Sequence, residues 1–346
     1  MNRGLFIDGP QSVGFREIAD APLREDQIRA QTEFASIKHG TEFTLFSGKS
    51  PFHGRRFDGQ SRLFVDNAPD DAEADSGIFV GNMVVGTVIE TGAAVTKFKP
   101  GDRVYGYHCA AEKAQFFQDD AQPLTAPLTA QEAVCMDPAV IALAALRDAR
   151  VGLGDNVIVF GMGAIGLFLT QFLRRAGCAS ILAVDPIAKR RRLAEHFGAT
   201  HTLDPTQCDT AVETRRLIGV GADIAIEASG NYGALGHSLR AARQCGRVVT
   251  LGYYHGRDTG LELGAEWFHN RLELICSMFH WGNPLRDYPL WNEQRLLATV
   301  RQMFLAGQLT AEGIIDPVIN FSDFAQMFMS IYREPAQAIK LGIRFP

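Results

Sequence analysis

At 346 residues the chain exceeds what one hydrophobic core usually serves, so two domains are expected. With 46% hydrophobic and 21% charged residues it has the balance of a globular protein and neither a disordered nor a fibrous composition. A formal net charge of -5 gives no electrostatic case for nucleic acid or an acidic membrane, and the lack of a bilayer-length or leader-like apolar run predicts a cytoplasmic protein with a small-molecule partner.

The first 125 or so residues read as strands and turns. Val13–Ile18, Gln27–Phe34 and Asn82–Thr91 are β-branched or alternating, with Gly, Pro and Asp between them. Lys99-Pro100-Gly101-Asp102 is a turn signal ahead of a short strand, Arg103–Tyr107. Gly48–Gly77, rich in Asp, Gly, Arg and Phe without clear periodicity, is expected as a long loop. From about Pro138 the texture changes. Strand-like runs at Val157–Phe160, Ser180–Val184, Asp223–Glu227, Arg247–Leu251 and Leu274–Met278 alternate with helical spacing. The helical stretches are Ile165–Ala176, Ala188–Phe197, Ala211–Ile218 and Leu235–Gln244. Such alternation implies a parallel sheet with helices on both faces. A helix over Glu293–Ala306 and a last strand near Ala338–Arg344 follow. The six cysteines include no CxxC pair, so neither a disulfide framework nor a structural zinc site is expected, and most should be buried apolar residues. The basic run Lys189–Arg192 reads as a solvated helix face.

The most informative stretch is Val157-Ile158-Val159-Phe160-Gly161-Met162-Gly163-Ala164-Ile165-Gly166. A glycine-rich turn here follows a buried strand and opens an amphipathic helix. Gly161 permits the tight turn, Gly163 lets a pyrophosphate approach the backbone, and Gly166 brings helix and strand close. The helix N-terminus, with Ala164 and Ile165, then faces the anion. A second strand ends at Asp185, about 20 residues on, where a carboxylate can accept both ribose hydroxyls and repel a 2′-phosphate. The expected cofactor is therefore NAD rather than NADP, although Arg190 and Arg191 could meet a phosphate.

The chain also resembles the medium-chain dehydrogenase/reductase superfamily, in its zinc-type alcohol and polyol dehydrogenase branch. The resemblance is carried by His39-Gly40-Thr41-Glu42, Gly81-Asn82-Met83-Val84-Val85-Gly86, Lys99–Val104, Asp137-Pro138, the glycine fingerprint and Glu227-Ala228-Ser229-Gly230. Gly40-Thr41-Glu42 and the Trp291…Arg295 stretch further resemble the bacteriochlorophyllide dehydrogenase-like subgroup. This implies an α/β fold: a Rossmann doubly wound parallel sheet inserted in a GroES-like β-rich catalytic domain. The implied boundaries are 1–138 and 282–346 for the GroES-like domain and 139–281 for the NAD-binding domain. A homodimer or homotetramer is implied as well.

The departures from the family pattern concern the metal. His39 stands where the resemblance expects a cysteine ligand, Asn82-Met83 where it expects His-Glu, and Asp137 where it expects a glutamate. Asn and Met are poor zinc ligands, so a metal-free site is expected, with a rearranged site on His39 and Asp137 as the minority reading. A ketone gaining hydride then needs another proton donor. Thr41 matches the family's relay hydroxyl. His39 could be the acid or base behind it, Asn82 could hold the reacting oxygen, Asp137 could orient His39, and Lys38 is the reserve acid. An extended stretch would put His39 and Thr41 on one face. For the cofactor, the resemblance adds Ala228, Ser229, Leu251, Gly252, Tyr253 and Ser277–Phe279 at strand ends, and Lys340 as the basic residue reaching the pyrophosphate. His108, Tyr254, His280 and Trp281 are candidate cleft aromatics.

The expected function is a zinc-independent, NAD-dependent oxidoreductase acting on a secondary alcohol or ketone of a polyol, cyclitol or sugar-like substrate. The alternatives are a transient-redox lyase or epimerase with tightly bound NAD, a zinc-free enone or quinone reductase, and a non-enzymatic cofactor-binding protein.

Overall fold

The computed structural model describes residues 2–67, 77–254, 260–278 and 291–346. The chain divides into two compact units, Met1–Val134 with Ile315–Pro346, and Cys135–Ile314. The first unit opens with β1 (Arg3–Gly9), β2 (Ser12–Glu17), β3 (Gln27–Ser36), α1 (His39–Phe46), β4 (Arg55–Asp58) and β5 (Leu63–Asp66). It continues with β6 (Ile78–Phe79), β7 (Met83–Thr91), β8 (Arg103–Tyr107), β9 (Lys113–Phe117), β10 (Gln122–Pro123) and α2 (Ala130–Ala133). β3 alternates buried and half-buried residues until Phe34, then buries three in succession as it enters the core.

Two expectations change here. Gly48–Gly77 is not wholly loop: β4 and β5 form an antiparallel hairpin with Phe57 opposite Phe64, their rings 5.3 Å apart. Strands of four residues are too short for alternation to show against so many Arg, Asp and Gly residues. The stretch at His39 is not extended but helical. Glu42 in its first turn accepts the N–H of Lys38 just ahead of the helix, so the start signal lies inside the helix rather than before it.

The second unit contains α3 (Met136–Asp148), β11 (Asn156–Phe160), α4 (Ala164–Ala176), β12 (Ser180–Val184), α5 (Ala188–His196), β13 (His201–Leu203) and α6 (Thr210–Ile218). Then come β14 (Ala222–Glu227), α7 (Tyr232–Ala241), β15 (Ala242–Thr250), α8 (Glu266–His269), β16 (Glu273–Cys276) and α9 (Glu293–Leu305). Among the described residues the sheet runs β13-β12-β11-β14-β15-β16, every pair parallel. Val157, Ile158 and Val159 are wholly buried, as a strand covered on both faces requires. The order reverses between β11 and β14, so the crevice outside their carboxyl ends is the topological switch point where this architecture takes ligands. β15 begins at Ala242, where helical spacing suggests a helix through Gln244.

The crossings between units fall at Cys135 and Ile315, against the expected 138 and 282. α9 stays with the second unit because it buries Leu296, Val300 and Phe304, the last edge-to-face with Phe168 on α4. The Gln171 side chain adds two bonds to the backbone of Thr310, donating to its carbonyl and accepting its N–H.

The chain then returns to the first unit with β17 (Ile315–Asn320), α10 (Phe324–Arg333) and β18 (Lys340–Arg344). The larger sheet there runs β10-β8-β7-β3-β18-β17, with β9 also paired to β3. Phe46 of α1 and Phe324 and Phe328 of α10 fill its core against Leu341 and Ile343. Among the described residues no helix is long and apolar enough to cross a membrane.

Candidate functional site

In the first unit the candidate residues gather where β3 turns into α1, beside the start of β7. Glu42, buried in the first turn of α1, is the hub. One carboxylate oxygen accepts the Lys38 N–H at 2.8 Å and the other the Gly81 N–H at 2.6 Å. It therefore ties the Lys38-His39 corner to the Gly81-Asn82 turn. Burial pushes its pKa up to about 7, against the two N–H bonds and the charges of Lys340 and Lys38, which pull it down. Lys340 is itself buried, its Nζ donating to the Ile37 carbonyl at 2.7 Å. The structure thus places Lys340 inside the first unit, bonded to the backbone that leads into α1.

His39 Nε2 accepts the Leu341 N–H at 3.3 Å, and its ring stacks on Phe43 one helical turn on. That bond sets the tautomer: the lone pair at Nε2 faces a backbone donor, so a neutral ring carries its proton on Nδ1. Because α1 is helical, the half-buried Thr41 is rotated about 200° from His39, and the two side chains do not share a face. Lys38 occupies the position ahead of the helix and is half-buried.

Asn82 is held by its backbone. Its N–H donates to Ser36 O at 3.1 Å and its carbonyl accepts the His108 N–H at 3.2 Å. The residue is 8% exposed, and its side-chain Oδ1 has no hydrogen-bond partner. A buried orphan amide oxygen is costly to the fold. His108 Nδ1 lies 2.9 Å from Cys109 O and 3.5 Å from Cys109 Sγ. Burial lowers the His108 pKa and pushes the Cys109 thiol up to about 11, so neither favours its charged form. Contrary to the expectation of mostly buried cysteines, Cys135 alone of the six is fully buried, and Cys245 and Cys276 are exposed.

These donors do not fit a zinc ion. Asn82 presents an amide, Met83 is buried in the core, and His39 Nε2 is engaged by a backbone N–H. Among the described residues no three His, Cys, Asp or Glu side chains converge as a metal group.

In the second unit the glycine loop has the geometry of an anion cradle. Gly161 takes φ +93°, and a Cβ there would press on Ser229. A Cβ on Gly166 would overlap the Gly161 carbonyl. At Gly163 nothing lies within 4 Å of a built Cβ, and no side chain caps α4, so Ala164 and Ile165 start the helix with amides available to a phosphate. The residues fit a dinucleotide pyrophosphate. Asp185 is 3% exposed; its carboxylate accepts the Met162 N–H and the Ile187 N–H, both at 2.8 Å. It therefore braces the glycine loop, with lone pairs left over for a ribose hydroxyl. Arg190 Nη1 is 3.7 Å from Asp185 Oδ2, and Arg191 donates to the Asp185 carbonyl at 2.6 Å.

Ala228 and Ser229 follow β14, the neighbour of β11, and Ser229 lies against Gly161; Leu251, Gly252 and Tyr253 follow β15, one strand further on. Ser277 is buried just past β16; Phe279, His280 and Trp281 lie outside the described residues. Asp137 belongs to the second unit, in the first turn of α3, where a carboxylate suits the helix N-terminus; Cys135 holds the cap position. Two site-shaping residues, Glu42 and Glu227, carry no role that the sequence alone assigns. The signal for Glu227 is an acid closing a strand directly after the apolar run Ile224-Ala225-Ile226.

A strand–glycine loop–helix crevice, in one chain with a separate β-rich unit, defines a class of nicotinamide-type dehydrogenases, and the comparisons agree. The family model described as alcohol dehydrogenase GroES-like domain matches residues 58–143, and that described as zinc-binding dehydrogenase matches residues 164–284. The chain is 34% identical to D-guloside 3-dehydrogenase of Escherichia coli K12, over 99% of each chain. In fold it is similar to a zinc-binding dehydrogenase of Sinorhizobium meliloti 1021 bound to NADP, with TM-score 0.76, 20% identity and 99% of each chain covered. It is likewise similar to an alcohol dehydrogenase of E. coli CFT073 complexed with NADH, with TM-score 0.77, 16% identity and 99% of each covered. The chain belongs to the medium-chain dehydrogenase/reductase superfamily, in the zinc-type alcohol dehydrogenase branch, and is an oxidoreductase of that family.

Proposed function

We propose that this chain is a zinc-independent, NAD-dependent dehydrogenase acting on a secondary alcohol of a polyol, cyclitol or sugar-like substrate. The observation that supports the cofactor is Asp185, a carboxylate at the end of β12 directly braced to the glycine loop. A negative charge there disfavours a 2′-phosphate. Of the two structural neighbours one holds NADP and the other NADH, so the fold accommodates either and the choice rests on this residue. The sugar-like substrate class is supported by the resemblance to D-guloside 3-dehydrogenase over the whole chain.

In the reaction the alcohol C–H bond breaks and its electron pair leaves as hydride, while the hydroxyl proton is lost and a ketone forms. The nicotinamide supplies the hydride acceptor. The chain's own groups must manage the proton and the developing oxygen charge. Thr41 supplies a hydroxyl for the proton, and the side-chain NH2 of the buried Asn82 can donate to the reacting oxygen. His39 anchors α1 to β18 through its Nε2 bond, with its Nδ1–H as a donor. Lys38 stands at the same corner as a reserve acid. Asp137 serves α3. The protein works in the cytoplasm and as a homodimer or homotetramer in this reading.

Thr41→Val keeps the shape and removes the hydroxyl. It is expected to cut turnover about a hundred- to ten-thousand-fold while leaving NADH affinity nearly unchanged. Full turnover in that variant would move the proton role to Lys38. Equal affinity of the unaltered chain for NADPH and NADH in a titration would contradict the assignment made from Asp185.

A further inference from the structure

The carboxyl ends of β14 and β15 are joined by a buried acid that the hydride chemistry leaves unused. Glu227, the last residue of β14, is wholly buried. Its Oε1 accepts the Ser229 N–H at 2.8 Å and the Ser229 hydroxyl. Its Oε2 accepts the Gly230 N–H at 3.0 Å and the Tyr254 hydroxyl at 2.5 Å. Its backbone carbonyl takes the Leu251 N–H at 3.0 Å and the Gly252 N–H at 3.3 Å. One residue thus fastens the loop after β14 to the loop after β15. The packing is close throughout: a Cβ on Gly252 would overlap the Gly230 N, and Ser229 lies against Gly161 of the glycine loop. Tyr254 reaches in from beyond β15, its ring tilted against Tyr232 at 5.0 Å. Burial and the neighbouring Glu227 hold the Tyr254 hydroxyl far above the usual phenol range, so it stays protonated and donates.

We propose that Glu227 and Tyr254 form a latch that sets the second mononucleotide half of the crevice, as positioning residues for the nicotinamide nucleotide that do not themselves touch it. A doubly wound sheet binds a dinucleotide across two halves, and the half past the switch point is built from β14 to β16. The latch closes that half. Asp185 and the glycine loop serve the adenylate half and the pyrophosphate. Without the Tyr254 hydroxyl a buried carboxylate loses one of its four donors, and the loop after β15 loses its side-chain tie. The adenylate half keeps every bond described above.

This inference rests on the reading that the crevice binds a nicotinamide dinucleotide, and the test separates the two. NADH and ADP are titrated by calorimetry into the unaltered chain, Tyr254→Phe, Glu227→Gln and Tyr232→Phe. The latch requires NADH to bind Tyr254→Phe about five- to tenfold more weakly, the worth of one hydrogen bond, with ADP affinity unchanged. Glu227→Gln is expected to show the same NADH-selective loss, which carries the test if Tyr254→Phe does not fold. Tyr232→Phe, which keeps the ring contact, is expected to bind both ligands as the unaltered chain does. Equal NADH affinity in Tyr254→Phe and the unaltered chain, or an equal loss for ADP, overturns the latch alone. Failure of the unaltered chain to bind NADH overturns the cofactor reading, and the latch with it.

Discussion

Glu42 holds two backbone N–H groups from separate stretches of chain, yet burial raises its pKa to about 7 from 4.5. A carboxyl whose folded pKa lies above its unfolded value favours the fold fully below the unfolded value. That advantage is lost as pH rises through the folded value. The affected window is therefore about pH 4.5 to 7. A tenfold change in proton affinity is worth about 1.4 kcal/mol, so ionising this buried acid costs a few kcal/mol in all. Glu42→Gln removes the titration, although it also spoils one of the two acceptor bonds. Melting temperatures at pH 5 and pH 8 are expected to fall more steeply with rising pH in the unaltered chain than in Glu42→Gln; parallel slopes would contradict the role assigned to burial. Asn82 stores the opposite kind of expense, an orphan amide oxygen in a buried site. Asn82→Leu replaces it with an apolar group of similar size, so stability is expected to hold or rise while turnover falls about a hundred- to thousand-fold. A melting temperature lowered by several degrees would show that the amide serves the fold instead.

Elements of the second unit are legible in the sequence because their patterns are local. Apolar strands of five or six residues, helical spacing between them and glycine at a turn all declare themselves within a short window. The three-residue β13 escapes for lack of length. α10 is within reach, since Phe324, Met327, Phe328 and Ile331 recur at helical spacing. α1 is not. Its start is fixed by a carboxylate inside its own first turn and by Gly81, far along the chain, and no local capping pattern reveals that. The motif around His39 can therefore be recognised while its conformation is misread. The same contrast identifies the most sensitive position in α4. Gly166→Ala places a methyl group against the Gly161 carbonyl, a collision that backbone atoms cannot relieve without moving the loop. It is expected to abolish dinucleotide binding by titration while the far-ultraviolet circular dichroism retains its α/β shape. Undiminished NADH binding would show that the loop is not the pyrophosphate cradle.

For the whole molecule, composition and charge limit the answer to a two-domain globular protein, and the sequence changes texture near Pro138. The place of α9 in the second unit is not legible in the sequence, because α9 looks like any amphipathic helix and its allegiance depends on α4, which lies far away in the chain. β16 forms an edge of the parallel sheet among the described residues, and an open edge invites pairing. A dimer is accordingly expected in sedimentation equilibrium, with a monomer at all concentrations as the contrary outcome. The central claim is dinucleotide-dependent, metal-independent oxidation of a sugar-like secondary alcohol. It is tested most directly by incubating chelator-treated, zinc-free protein with methyl glycosides and either NAD or NADP, and following reduced nicotinamide by absorbance. Turnover with NAD that zinc does not increase, and little turnover with NADP, is the expected result; turnover that appears only when zinc is restored, or only with NADP, would contradict it.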